Sequence, residues 1–97
     1  GESVLTKFIQ IIEDVRTGEF RLETIFINVN NIIVVREDRR IQELNRATPI
    51  VKDLRTEHNF TRITFNEGAR SHAVTVVGSP EAIVKLTEKT NHRLLRG

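Results

Sequence analysis

The 97-residue sequence contains no cysteine, methionine, tryptophan or tyrosine. Without cysteine, disulfide bonds, thiolate metal sites and thiol catalysis are excluded, and a disulfide-stabilised secreted scaffold is excluded with them. No apolar run approaches the roughly 20 residues that a membrane-spanning helix needs, and there is no signal-peptide core. These absences predict a cytoplasmic protein that does not bind membranes.

The sequence also lacks a strong excess of positive or negative charge. The chain has 15 Lys and Arg against 13 Asp and Glu, so its net charge is only +2. A nucleic-acid-binding module usually concentrates basic residues on one face, whereas here the two signs are mixed along almost the whole chain. This mixture predicts a solvated surface, and the length predicts one domain over residues 1–97.

The clearest pattern of secondary structure begins at Phe60. Ile63 and Phe65 alternate with polar residues, which is typical of a half-buried strand. Gly68 can adopt the positive φ of a turn, and a second alternating strand follows it. A four-residue loop would place Ile63 opposite His72. The pattern therefore predicts a β-hairpin.

A helix is predicted after this hairpin, because Ser79 is a natural N-cap and Pro80 suits the first helical position. It is the C-terminal element of the chain, with apolar residues at helical spacing in its first two turns.

Three more strands are predicted upstream. Residues 3–15 fit both an amphipathic helix and a strand, and we favour the strand because a meander follows. A turn over 16–19 leads to a strand over 20–29. After an asparagine-rich turn, the apolar run 32–35 predicts a strand buried on both faces. The predicted fold class is α+β: a bent antiparallel sheet of about five strands, or a small open barrel, with a C-terminal helix and a short helical insertion.

The insertion covers about residues 38–59. A short helix is predicted over 39–46, and Thr48-Pro49 resembles a second helix start, with an extended segment over 49–54 as the alternative. A small sheet has limited room for the apolar residues of this insertion, so we predict that they contact a second copy of the chain or a larger protein. The predicted interface consists of Ile41, Leu44, Ile50, Val51 and Leu54.

No pattern predicts catalysis, a cofactor or a metal site. The three histidines do not share the helical spacing or the alternation that adjacent metal ligands need. Ser71 precedes His72, but neighbours in a strand point to opposite faces, which argues against a catalytic pair. The glycines are isolated, so no phosphate-binding loop is present. The sequence predicts a protein that is not an enzyme.

Nucleic-acid binding is the alternative function. Arg36, Arg39, Arg40 and Arg46 are close in sequence and could position a phosphate backbone, as in a bacterial or phage transcriptional regulator. Carboxylates adjoin these arginines, and Phe60 and Phe65 are needed in the core rather than for base stacking. We therefore favour protein contacts over nucleic acid.

The order of motifs resembles that of a protein family. The sequence resembles the FlbD/SwrD-like family of small bacterial and phage β proteins in three features. These are an asparagine-rich turn over 28–31, the strand Thr61–Phe65 with Gly68, and the capped helix start at Ser79. The resemblance covers the chain outside residues 38–59. It implies a cytoplasmic accessory protein that acts through protein contacts, and it implies no functional residues. The same order is also similar to the first half of LytTR-type DNA-binding domains, whose closing strands have no counterpart here.

Overall fold

The computed structural model describes the backbone of residues 5–96 and the side chains of residues 5–88. In this part of the chain, five antiparallel strands form one sheet in the order β2-β1-β5-β4-β3, with two α-helices. The α+β class, the antiparallel sheet and the C-terminal helix are confirmed, and the sheet is not closed. The elements are β1 (Leu5–Glu13), β2 (Phe20–Asn28), β3 (Ile32–Glu37), α1 (Arg39–Ala47), β4 (Phe60–Glu67), β5 (Arg70–Val77) and α2 (Pro80–Arg96), with a 3-10 turn (Val29–Asn31) between β2 and β3.

The sheet is strongly curled. The short 3-10 turn joins β2 to β3, although these strands form opposite edges of the sheet. The chain from Asn28 to Ile32 reaches at most about 14 Å, whereas the edges of a flat five-strand sheet lie about 19 Å apart. The edges must therefore approach each other at this end. Val29 of the turn is buried in the core beneath α2, so the sheet curls toward α2.

Residues 5–13 form a strand, as favoured from the sequence, and pair with β2 without a register shift. Phe8 contributes to the core on the α2 side, and Ile11 contributes to a second core on the α1 side. Strand geometry explains this division, because residues separated by an odd number of positions point to opposite faces. A helical stripe would have placed both side chains on one face.

The β4–β5 hairpin forms, but its predicted register was wrong. Ile63 lies opposite Val74, and Phe65 lies opposite His72. The loop consists of only Gly68 and Ala69, with Gly68 at φ +60°. A two-residue loop with glycine first is a favoured hairpin turn. Because the partners differ by two positions from the prediction, every side chain keeps its predicted face.

The prediction that the run 32–35 is buried on both faces was also wrong. β3 is an edge strand, and the side chain of Ile33 is 56% exposed. The register of β3 against β4 shifts between Ile32 and Val34. Four consecutive apolar residues indicated a central strand, but the order of strands in the sheet depends on long-range pairing.

α1 forms over the predicted residues, and it ends where the Thr48 N–H bonds to the Leu44 carbonyl. The second helix predicted after Pro49 is absent, and so is the extended alternative. Residues 48–59 instead form turns, including backbone hydrogen bonds from Leu54 to Val51 and from His58 to Arg55.

The C-terminal helix α2 begins as predicted. The Ser79 Oγ accepts a hydrogen bond from the Ala82 N–H, which is the geometry of an N-cap. Ile83, one turn later, is buried against the sheet.

Two apolar cores lie on the two faces of the sheet. α2 covers one face and α1 with its following turns covers part of the other, so the sheet is the middle layer. Each core joins the β1–β2 hairpin to the β4–β5 hairpin. The core on the α2 side contains Phe8, Ile27, Val29, Ile63, Val76 and Ile83, and the core on the α1 side contains Ile11, Ile41, Leu54 and Phe60.

Candidate interaction surfaces

Most of the predicted interface lies inside the chain's own core. Ile41 and Leu54 are only 4% and 7% exposed, and Ile50 and Val51 are half-buried against the same core. Leu44 is the exception, with 42% of its surface exposed. The premise that the sheet lacks room for these residues is wrong for Ile41 and Leu54, because the sheet offers a second face. A contact between Leu44 and a partner stays a prediction.

A buried asparagine fixes the turns that follow α1. Asn45 has no exposed surface. Its Nδ2 donates to the Arg55 carbonyl at 2.6 Å, and its Oδ1 accepts from the Ile50 N–H at 3.0 Å. Both bonds replace water at main-chain groups that have no partner in regular secondary structure. Asn45 therefore holds this irregular segment against the sheet.

Polar contacts attach the start of α1 to two different strands. The Asp38 carboxylate caps α1 by accepting from the Ile41 N–H, and its second oxygen accepts from the Thr75 hydroxyl of β5 at 2.6 Å. Arg40 donates two hydrogen bonds to Glu13 of β1, at 3.0 and 2.8 Å. These bonds with Arg40 lower the pKa of the Glu13 carboxyl. The start of α1 thus connects β1 to β5.

The four arginines of the predicted nucleic-acid surface have different neighbours, and their joint binding of a nucleic acid stays a prediction. Arg40 is bound to Glu13, as described above. The Nε of Arg39 lies 3.9 Å from the Glu37 carboxylate. Arg36 lies on β3, where its pairing partner is Arg62. Arg39 and Arg46 share a shallow groove of about 220 Å³, whose other lining residues are Glu37, Gln42 and Glu43.

Sequence reasoning missed Arg62, because its strand gives no sign of which residue will lie opposite.

Sequence reasoning also missed the exposed end of the β1–β2 hairpin. Phe26 stands between Ile25 and Ile27, and this run of three apolar residues does not show which side chain will be exposed. In the structure Ile27 is buried, whereas Phe26 points to the α1 side and is 59% exposed.

The free edge of β2 is regular and borders this exposed phenylalanine. β2 pairs with β1 over nine residue pairs, and no strand formed by residues 5–96 lies on its other side. Lys7 lies opposite Phe26, and the exposed Leu5 is the next residue on the same face of β1. On the opposite face, Arg21 and Glu23 form an ion pair of 3.1 Å. An unpaired strand with exposed apolar residues is a template for pairing with another strand.

Metal and membrane sites find no support in the described residues. No group of three or more His, Asp or Glu side chains there could hold a metal ion. His72 packs against Phe65, with ring centroids 5.6 Å apart, and its Nε2 lies 3.4 Å from Glu67. No helix over the described residues is both long and apolar enough to cross a bilayer.

The sequence matches no protein-family model and no curated protein, and the fold matches no solved structure. The FlbD/SwrD-like resemblance therefore stays a prediction, and the functional argument rests on the surfaces of this chain.

Proposed function

We propose that this protein is a non-enzymatic accessory protein that acts by self-association, through the free edge of β2. The observation that carries the proposal is the exposed side chain of Phe26 beside an unpaired, regular strand edge. Its cytoplasmic location and its bacterial or phage origin stay predictions from the sequence. The assembly is a homodimer, because one free edge accommodates one further strand.

The other edge strand is less suited to pairing. β3 is shorter than β2, and its register is interrupted near Ile33. A short strand and irregular pairing are features by which proteins prevent strand addition at an edge. β2 has neither a shift in register nor a short length, so strand addition is favoured there.

A second copy complements this edge in both charge and shape. If two β2 strands pair antiparallel about an axis through Leu22, Arg21 of each copy faces Glu23 of the other. Opposite charges at facing positions stabilise paired strands. The same register brings Phe26 to the partner's turn over residues 14–19, where Val15 is 89% exposed. One arrangement therefore pairs the charges and covers the exposed apolar residues.

The expected dimer is weak. Burying the 59% of each Phe26 that is exposed stabilises the dimer by roughly 1–2 kcal/mol, whereas association costs on the order of 4–15 kcal/mol in lost freedom of motion. Strand pairing over residues 20–24 must supply the remaining stabilisation. We therefore expect the dimer to dissociate on dilution.

Static light scattering on a sizing column, over a range of protein concentrations, tests this proposal. The mass should rise from 11.2 kDa toward twice that value as concentration increases, at both low and high salt. Phe26→Ser should keep the protein monomeric. Ile33→Ser is the matched control, because Ile33 is a similarly exposed apolar residue on the other edge strand. A wild-type mass that stays at 11.2 kDa at every concentration would contradict the proposal.

A further inference from the structure

Two arginines face each other on an open part of the sheet. Arg36 of β3 and Arg62 of β4 are paired residues, and both are exposed. Arg62 points to the α1 side, because Phe60, two residues earlier, lies in the core there. Paired residues share a face, with Cβ atoms roughly 5 Å apart. The sheet therefore presents two cations side by side.

This arrangement is unfavourable in the isolated protein. Like charges directly opposite each other destabilise a strand pair. Among the described residues, neither Arg36 nor Arg62 has a carboxylate oxygen within 4.0 Å. Four other arginines do have such a partner, namely Arg21, Arg39, Arg40 and Arg55.

Two carboxylates on the same side of the sheet, those of Asp38 and Glu13, accept hydrogen bonds from other groups. Both oxygens of Asp38 accept hydrogen bonds, one from the Ile41 N–H and one from the Thr75 hydroxyl. Both oxygens of Glu13 accept from Arg40. Neither carboxylate oxygen lies within 4.0 Å of Arg36 or Arg62, so both guanidinium groups are accessible to an anion from outside the chain.

Hydrogen-bond donors continue from the arginine pair along β4. Thr64 and Asn66 follow Arg62 at alternate positions and so share its face. The Asn66 Oδ1 accepts from the Ser71 hydroxyl at 3.2 Å, which leaves the Asn66 NH₂ group to donate elsewhere. This part of the face bears no aromatic or acidic side chain between Arg62 and Asn66.

We propose that Arg36 and Arg62 bind a phosphate group. Guanidinium groups bind phosphate oxygens through paired, charge-assisted hydrogen bonds, and a phosphate would also remove the repulsion between the two cations. Two sources share this chemistry: a free phosphate ion and the phosphodiester backbone of a nucleic acid. Thr64 and Asn66 supply donors for neighbouring phosphates of a backbone. Without an aromatic residue for base stacking, binding of a nucleic acid would be independent of its sequence.

Two probes distinguish the sources: sodium phosphate, followed through the NMR signals of the arginine Nε–H groups, and a fluorescent single-stranded oligothymidylate, followed by anisotropy at low salt. The test variant is Arg36→Gln with Arg62→Gln. The control is Arg39→Gln with Arg46→Gln, which removes the same charge from exposed positions of α1.

In the wild type, phosphate should shift the Arg36 and Arg62 signals more than chloride does at equal ionic strength. The test variant should weaken oligonucleotide binding about tenfold or more. The slope of log affinity against log salt should fall by about 0.7 for each phosphate contact that is lost. The control variant should change the affinity and the salt slope much less. Binding of phosphate without the oligonucleotide supports the site and assigns it to a small phosphorylated ligand.

A thermal-unfolding experiment separates binding from a merely structural role. Arg62→Gln should raise the unfolding midpoint in phosphate-free buffer, because it removes the repulsion. Added phosphate should raise the midpoint of the wild type and not that of this variant.

The proposal is wrong if neither probe binds at low salt, or if the test and control variants lose binding equally. It does not depend on dimerisation, since the arginines lie away from β2.

Discussion

The two halves of the sheet differ in regularity and in the chemistry of their surfaces. The β1–β2 hairpin pairs without a register shift and exposes Phe26 beside a free edge. The β3–β4–β5 half has an irregular edge strand, and it exposes Arg36 and Arg62. Our two proposals follow this difference: strand pairing is assigned to the first half and anion binding to the second.

The pairing between these halves is short. β1 pairs with β5 at only two positions, through Gln10 with Val76 and Ile11 with Thr75. The two apolar cores and the start of α1 supply the remaining connections. Residues 38–59 are therefore part of the structural link between the halves, and not an appendage. The following predictions test that role, from the largest expected effect to the smallest.

Ile41→Ala should destabilise the whole domain. Ile41 is buried in the core that α1 forms with the sheet. Truncating a buried isoleucine to alanine costs about 2–5 kcal/mol in the free energy of unfolding. Ile83→Ala, in the core on the other face, should cost a similar amount. Urea denaturation followed by circular dichroism measures both losses.

The control for this experiment is Leu44→Ala, on the same helix. Leu44 is 42% exposed and lies outside the core, so the loss in the free energy of unfolding should be about 1 kcal/mol or less. If Ile41→Ala were as mild as Leu44→Ala while Ile83→Ala remained costly, residues 38–59 would not link the two halves.

Asn45→Ala should cost about 1–3 kcal/mol, since it removes two hydrogen bonds and leaves the Ile50 N–H without a partner. Amide hydrogen exchange at Ile50 should accelerate in this variant. Asn59→Ala is the matched control, because Asn59 is an exposed asparagine in the same segment. Equal effects of the two substitutions would show that Asn45 does not hold the turns.

The pH dependence of stability should report the contact between Glu13 and Arg40. The folded state lowers the pKa of Glu13, chiefly through its hydrogen bonds with Arg40. The stabilisation should be present above the ordinary pKa of about 4.3 and be lost as the pH falls through the lower, folded-state value. Unfolding midpoints of the wild type and Glu13→Gln should differ at neutral pH and converge in acid. A difference that is constant with pH would exclude this contact as its cause.

The local parts of the fold could be predicted from the sequence. The alternation in β4, the glycine turn and the cap at Ser79 depend on residues within a few positions of each other. The register of β4 against β5 depends on the length of the loop between them. The loop consists of Gly68 and Ala69 and is shorter than predicted. The edge position of β3 depends on long-range strand pairing, which no local pattern encodes.

The candidate surfaces were harder to predict for the same reason. Arg62 is a candidate binding residue only because it lies opposite Arg36. The register of β3 against β4 brings the two together. Ile41 and Leu54 were predicted to need a partner, because the sequence does not show that the second face of the sheet can bury them. Phe26 stands among apolar neighbours, and no pattern distinguishes it from them as an exposed residue.

A charge-exchange experiment tests self-association through β2 most directly. Arg21→Glu and Glu23→Arg are each expected to place like charges opposite each other in the dimer and to weaken association roughly tenfold at low salt. The double variant with both substitutions should restore the opposite charges and hence association. Arg55→Glu, which breaks a similarly exposed arginine–glutamate pair in a turn, is the control and should associate normally.

The decisive measurement is the dimer dissociation constant of these four variants and the wild type, by sedimentation equilibrium. Weakening in both single variants with recovery in the double variant would support pairing of β2 with β2. Single variants that associate as tightly as the wild type, or a double variant that fails to recover, would contradict it.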